Sequence, residues 1–212
     1  MQVFMILKDE SKYFMEESKK GRFYCRKVDG EIIKYPSVTT VISQSEGSKF
    51  SGSPSASIGS LVHFHITKKY SNKLLKMPTD RVWNIPRNEV QARINRCLTM
   101  WNNLNLNIKP ITIETAVFND DPRYAGRKDI FCRLDGDLTL IDIKTGKSYD
   151  HHVCQGGAYW NALRRRPQVL FVYLDGILER NPEQKAVLRY FTQAELEKGY
   201  DEFLDRYAVF KW

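Results

Sequence analysis

The sequence has no long hydrophobic run. No segment of its 212 residues approaches the roughly 20 apolar positions a helix needs to span a bilayer. The apolar opening Met1-Gln2-Val3-Phe4-Met5-Ile6-Leu7 is too short, and lacks the basic leader and cleavage pattern, to be a secretory signal. An intracellular protein is expected, in cytoplasm or nucleoid and with a phage or viral source open, rather than a secreted one. Cysteine is scarce as well: Cys25, Cys97, Cys132 and Cys154 are far apart and form no C-x-x-C, which argues against a zinc site and a dense disulfide framework. Acidic charge is in short supply, 25 residues against 33 basic ones, and the resulting +8 suits a polyanionic partner.

What is present is enough apolar material, 42% of the chain, for one sizeable core, and too little length for two independent domains. A single domain over 1–212 is expected, with an N-terminal hairpin and helical part at 1–108, a core at 109–175 and C-terminal strands and helix at 176–212. Arg22 to Arg26 and Glu31 to Tyr35 flank Asp29-Gly30 and predict a hairpin that hands over to a helix at Pro36-Ser37. A Ser- and Gly-rich loop at 45–57 precedes a helix from about Ala56 to Tyr70. On that helix Ile58, Leu61, Val62, His65 and Lys69 fall on one stripe and Gly59, His63, Ile66 and Tyr70 on another, so one histidine alone faces a given site.

Pro86 to Leu104 predicts an amphipathic helix through Val90, Ile94, Cys97, Leu98, Trp101 and Leu104, and Ile111 to Phe118 alternates as a strand whose only acid is Glu114. A helix capped by Asp150 or Ser148 should run to about Arg165, with Gln155 and Tyr159 one turn apart on it. Paired Gly156-Gly157 inside it costs about 1 kcal/mol each against alanine, so close helix packing or close approach of DNA should compensate. His151-His152 has no partner at metal-binding spacing and is expected at the surface. Gln168 to Leu174 and Lys185 to Phe191 read as strands, and Thr192-Gln193-Ala194-Glu195 as a capping box that starts a terminal helix.

The chemistry centres on Asp135-Gly136, a dipeptide suited to the two positive-φ positions of a tight hairpin turn. With Leu134 opposite Asp137, pairing runs 130 with 141 and then 129 with 142. Asp129 and Asp142 would then share one face with Lys144. Phe131, Leu138 and Leu140 accompany the carboxylates, while Ile130, Cys132, Ile141 and Ile143 fill the other face, so both faces should be covered. Two like charges this close destabilise a sheet, and a divalent cation held between them is the simplest compensation. Such a metal with a nearby lysine is the equipment for phosphodiester hydrolysis.

Gly59-x-x-x-His63, Gly126-x-x-Asp129, Asp142-x-Lys144 and Gln155-x-x-x-Tyr159 occur in that order. In this the chain resembles the PD-(D/E)XK nuclease superfamily, and within it the RecB-like exonuclease branch, which includes phage and mitochondrial DNA exonucleases and CRISPR-associated adaptation nucleases. The likeness covers roughly residues 36 to 175. It implies an α/β, restriction-endonuclease-like core with a central mixed sheet flanked by helices, and a metal-dependent DNA exonuclease acting on single strands or DNA ends in repair, recombination or replication. Asp129, Asp142 and Lys144 would be catalytic, with His63, Glu114, Asp129 and Asp142 around Mg²⁺ or Mn²⁺. A histidine ligand favours manganese. Gln155, Tyr159 and Arg127 would face the nucleic acid, and Tyr124, Tyr149 and Trp160 are candidates to stack on bases. Some relatives hold an iron-sulfur cluster on one early and three late cysteines; no cysteine follows Cys154, so none is expected here. An endonuclease or structure-specific nuclease of the same fold, and a non-catalytic DNA-end-binding recombination factor, are the alternatives. Oligomeric state is left open.

Overall fold

The computed structural model describes residues 13–18, 20–47, 54–72, 74–78, 86–174 and 185–212. Asp29-Gly30 turns the chain as expected, with φ of 49° and 90°, between β2 (Gly21–Val28) and β3 (Glu31–Pro36). A strand that the sequence pattern does not reveal, β1 (Tyr13–Ser18), pairs with β2 and completes a three-stranded antiparallel sheet. Ser37 then caps α1 (Val38–Ser45), its hydroxyl accepting from the Thr40 amide and so satisfying one of the orphan donors of the first turn. Part of the Ser- and Gly-rich loop lies outside the described residues.

Helices α2 (Pro54–Tyr70) and α3 (Arg87–Asn103) follow. The second sheet holds β4 (Ile108–Asp120), β5 (Arg123–Leu134), β6 (Asp137–Lys144), β7 (Gln168–Tyr173) and β8 (Val187–Phe191) in spatial order 4-5-6-7-8. All its pairings are antiparallel except β6 with β7, which are parallel and joined through α4 (His151–Ala162). A parallel pair needs such a crossover, because a tight turn reverses the chain. Last comes α5 (Gln193–Ala208), opened by the full reciprocal capping box between Thr192 and Glu195.

This is a mixed α/β architecture, a mixed sheet with helices on both faces. On one face Phe131, Leu140, Val169 and Phe171 pack with α1, α4 and α5; on the other Ile130, Cys132, Ile141, Ile143 and Leu170 pack with α2 and α3. The two-sided burial inferred for the hairpin therefore holds. Ile58, Val62 and Ile66 form the buried stripe of α2, whereas His65 and Lys69 are exposed; the apolar period of four, not the predicted stripe, decides which side faces the sheet. Helix α4 stops at Ala162, short of the predicted Arg165, and Arg166 beyond it has φ of 40° and lies over the Trp160 ring. Gly157 has its reason in packing: a Cβ there would lie 2.5 Å from the Leu196 carbonyl oxygen and closer still to the Tyr200 amide of α5.

Candidate metal centre

Asp135 and Gly136 take φ of 51° and 102°, and the predicted register follows from Leu134/Asp137 to Ile130/Ile141. There the ladder ends. In a continued ladder the Ile143 amide would meet the Lys128 carbonyl; instead it donates to Asp129 Oδ2 at 2.8 Å. The Asp129 carboxylate has entered the ladder in place of backbone, β5 and β6 part, and the expected direct pairing of Asp129 with Asp142 does not form.

The acid placed across from Asp129 is Glu114 on β4. Strands β4 and β5 pair Ile113 with Ile130 and Thr115 with Lys128, and Glu114 and Asp129 fall between those pairs. Glu114 has φ of 50°, a left-handed conformation rare for a residue with a Cβ and a form of strain that clusters at functional sites. From the other direction α2 delivers His63, with Nδ1 3.3 Å from Asp129 Oδ2. One ligand atom from each of His63, Glu114 and Asp129 can be chosen so that all lie within 4.8 Å of one another. Gly59, one turn before His63, lets the helix approach the end of β6: a Cβ there would lie 2.7 Å from Thr145 Oγ1.

Asp142 and Lys144 form a second group beside the first. Lys144 Nζ lies 2.5 Å from Asp142 Oδ2, donates to Gln155 Oε1 at 2.8 Å, and sits 4.8 Å from the centre of the Phe171 ring. The Gln155 amide nitrogen is 3.3 Å from both Asp142 Oδ1 and the Tyr159 hydroxyl. Gln155 and Tyr159 are thus buried and hold this group in place. Gly126 makes room for Tyr159, since a Cβ on it would lie 2.8 Å from Cζ of that ring. Arg127 pairs with Glu114 through Nε at 2.9 Å while its side chain stays 42% exposed, so it can face solvent and the acid at once.

The electrostatics are those of crowded carboxylates away from water. Burial raises the Asp142 pKa against the pull of Lys144, and Asp129 pushes it further up. Burial likewise raises Glu114, only partly opposed by Arg127. Asp129 is lowered: burial works against its charge, but His63 and the Ile143 amide outweigh it. His63 is raised because the carboxylates of Asp129, Glu114 and Asp142 outweigh the effect of its own burial. Asp142 Oδ2 is buried against the Lys144 ammonium, its ion-pair partner.

Several expectations are corrected. His152 is buried rather than at the surface: Nδ1 lies 3.0 Å from the Tyr173 hydroxyl, and burial lowers its pKa to about 3. Tyr124 and Trp160 are core residues, the Tyr124 hydroxyl donating to the Ala158 carbonyl, and of the three proposed stacking aromatics only Tyr149 is exposed. Sequence reasoning missed Thr67, fully buried one turn after His63, its hydroxyl donating to the His63 carbonyl and lying beside Glu114. Its i+4 spacing from His63 was the available signal. It also missed Lys128, buried with Nζ 2.5 Å from Thr115 Oγ1 and its pKa lowered by burial to about 8. No protein-family model matches the chain, and no curated protein matches its sequence.

Proposed function

We propose that the chain is a divalent-metal-dependent deoxyribonuclease of the RecB-like branch of the PD-(D/E)XK superfamily, with a restriction-endonuclease-like core, acting exonucleolytically on single-stranded DNA or DNA ends. The observation that carries this reading is the convergence of His63, Glu114 and Asp129 beside the Asp142–Lys144 pair. The donor set of one imidazole and several carboxylate oxygens fits Mg²⁺ or Mn²⁺. Asp129, Glu114 and His63 would hold the ion, with the Asp142–Lys144 pair beside them. When bound, such an ion supplies Lewis acidity toward a phosphoryl oxygen and a more acidic water.

The rest is the chain's own work. An ammonium has three donors; Gln155 and Asp142 engage two on Lys144. The third meets no hydrogen-bond partner among the described residues, which leaves it to orient an attacking water or to meet the charge that develops on the phosphate. Gln155 grips Asp142 with its nitrogen and Lys144 with its oxygen, so it fixes the distance between acid and cation. Arg127 tempers the negative charge of Glu114 and offers its exposed edge to a phosphate.

The test is cleavage of end-labelled single-stranded, double-stranded and circular DNA with Mg²⁺, Mn²⁺ or EDTA. The expected result is metal-dependent cutting of linear substrates, lost in Asp142→Asn and in Lys144→Met. Absence of metal-dependent cutting on every substrate would overturn the proposal.

A further inference from the structure

Between α1 and α4 lies a cavity of about 220 Å³ whose walls include Thr39, Ser43 and Glu46 on one side and His152 and Gln155 on the other, with Lys144 reaching into it. It therefore connects the surface to the lysine of the candidate centre. At this volume it is smaller than the roughly 300–1,000 Å³ of sites for drug-sized ligands, on the scale of one base rather than a base pair.

Its rim is built from aromatic rings. His151 also borders the cavity, and the Tyr149 ring stacks on it in parallel, 5.4 Å between centres and 3° between planes. The buried His152 supports both rings edge-on, at 5.4 Å from Tyr149 and 4.9 Å from His151. His152 is itself pinned by the Tyr173 hydroxyl and the Tyr149 amide. The platform is thus held in place before any ligand arrives, while Tyr149 remains 47% exposed. Lys147 Nζ lies over the Tyr149 ring, 5.2 Å from its centre, on a flexible stem that a stacking base can displace while the ammonium stays within reach of its phosphate.

We propose that a single DNA strand runs through this α1–α4 cleft, one unpaired nucleotide in the cavity beside Lys144, the next base on the Tyr149–His151 platform and its phosphate on Lys147. This rests on the nuclease reading for its choice of ligand and adds the reason for a single-strand preference: the opening next to the reaction centre takes bases one at a time. Stacking on an aromatic face is tolerant of sequence, since every base has a π-face. No base preference at this position follows.

Binding to the full chain in EDTA, read by fluorescence anisotropy with a labelled oligothymidylate, separates this track from catalysis. Tyr149→Ala should weaken strand binding about tenfold, and Tyr149→Trp should retain it. Thr39→Phe, which fills the cavity, should weaken it as well, with thermal unfolding used to check that each variant is folded. A blunt duplex should bind Tyr149→Ala and the parent equally. If Tyr149→Ala binds the strand like the parent, the track is wrong even where the parent cuts DNA. If strand binding depends on Tyr149 and no DNA is cut, the track stands and hydrolysis falls. If the parent binds no strand, both fall. Because Tyr149 is exposed, its variants decide the matter even if Thr39→Phe does not fold.

Discussion

Gly126→Ala probes how the centre is held together. Gly126 is buried on β5, and an added Cβ would lie 2.8 Å from Tyr159 Cζ and nearer still to the ring edge. The ring must move or the strand must bend, and such overpacking costs about 1–3 kcal/mol. Alanine recovers about 0.5–1 kcal/mol over glycine in a strand interior. Moving the ring also breaks the 3.3 Å contact from Gln155 to the Tyr159 hydroxyl, worth about 1 kcal/mol. The net loss is about 2 kcal/mol, or a fall in Tm of about 4–8 °C for a chain of this size. Gln155 is the residue that grips Asp142 and Lys144, so metal-dependent cleavage should fall along with stability. The assay is a double-mutant cycle with Tyr159→Leu, by thermal and urea unfolding. In the leucine background Gly126→Ala should be close to neutral, a coupling of about 2 kcal/mol, as expected of residues in contact. Equal costs in the two backgrounds would refute the argument.

Two further outcomes are expected. His152 has a folded-state pKa of about 3 against about 6.5 when unfolded. As pH falls below about 6.5 the unfolded chain takes up a proton that the folded chain refuses, so stability falls by about 1.4 kcal/mol per pH unit until the folded pKa is reached. Urea unfolding between neutral pH and pH 5 should show this slope, reduced by one proton in His152→Leu. Gly157→Ala should force α4 and α5 apart, because the added Cβ meets backbone at Leu196 and Tyr200 rather than a movable side chain; a Tm equal to the parent's would contradict that packing.

Much of the fold was legible because local chemistry and global pattern agree where it was read. Asp29-Gly30 and Asp135-Gly136 carry their positive φ values in their residue types, Thr192 and Glu195 announce a capping box, and the alternation through Phe131 and Ile130 tells the two core faces apart. What stayed hidden depends on contacts distant in sequence. Nothing in a D-x-K pattern shows that Asp129 will replace backbone as the acceptor for Ile143, and so β5 and β6 were expected to pair one step too far. The positive φ of Glu114 lies inside a strand that alternates without interruption in sequence, and no residue type there announces it. His152 looked like half of a polar dipeptide, but α4 turns it onto Tyr173 and Phe171 while its neighbour His151 faces Glu46. At the site, the structure gives the expected residues different partners: Asp129 stands with Glu114 and His63, and Asp142 with Lys144 and Gln155.

The central claim, that His63, Glu114 and Asp129 form a metal centre, is tested most directly by calorimetric titration of the chain with Mn²⁺. The account predicts saturable binding that Asp129→Asn abolishes and that His63→Gln and Glu114→Gln each weaken by at least about tenfold. Binding of equal affinity in the parent and in Asp129→Asn, or no binding to the folded parent, would contradict it.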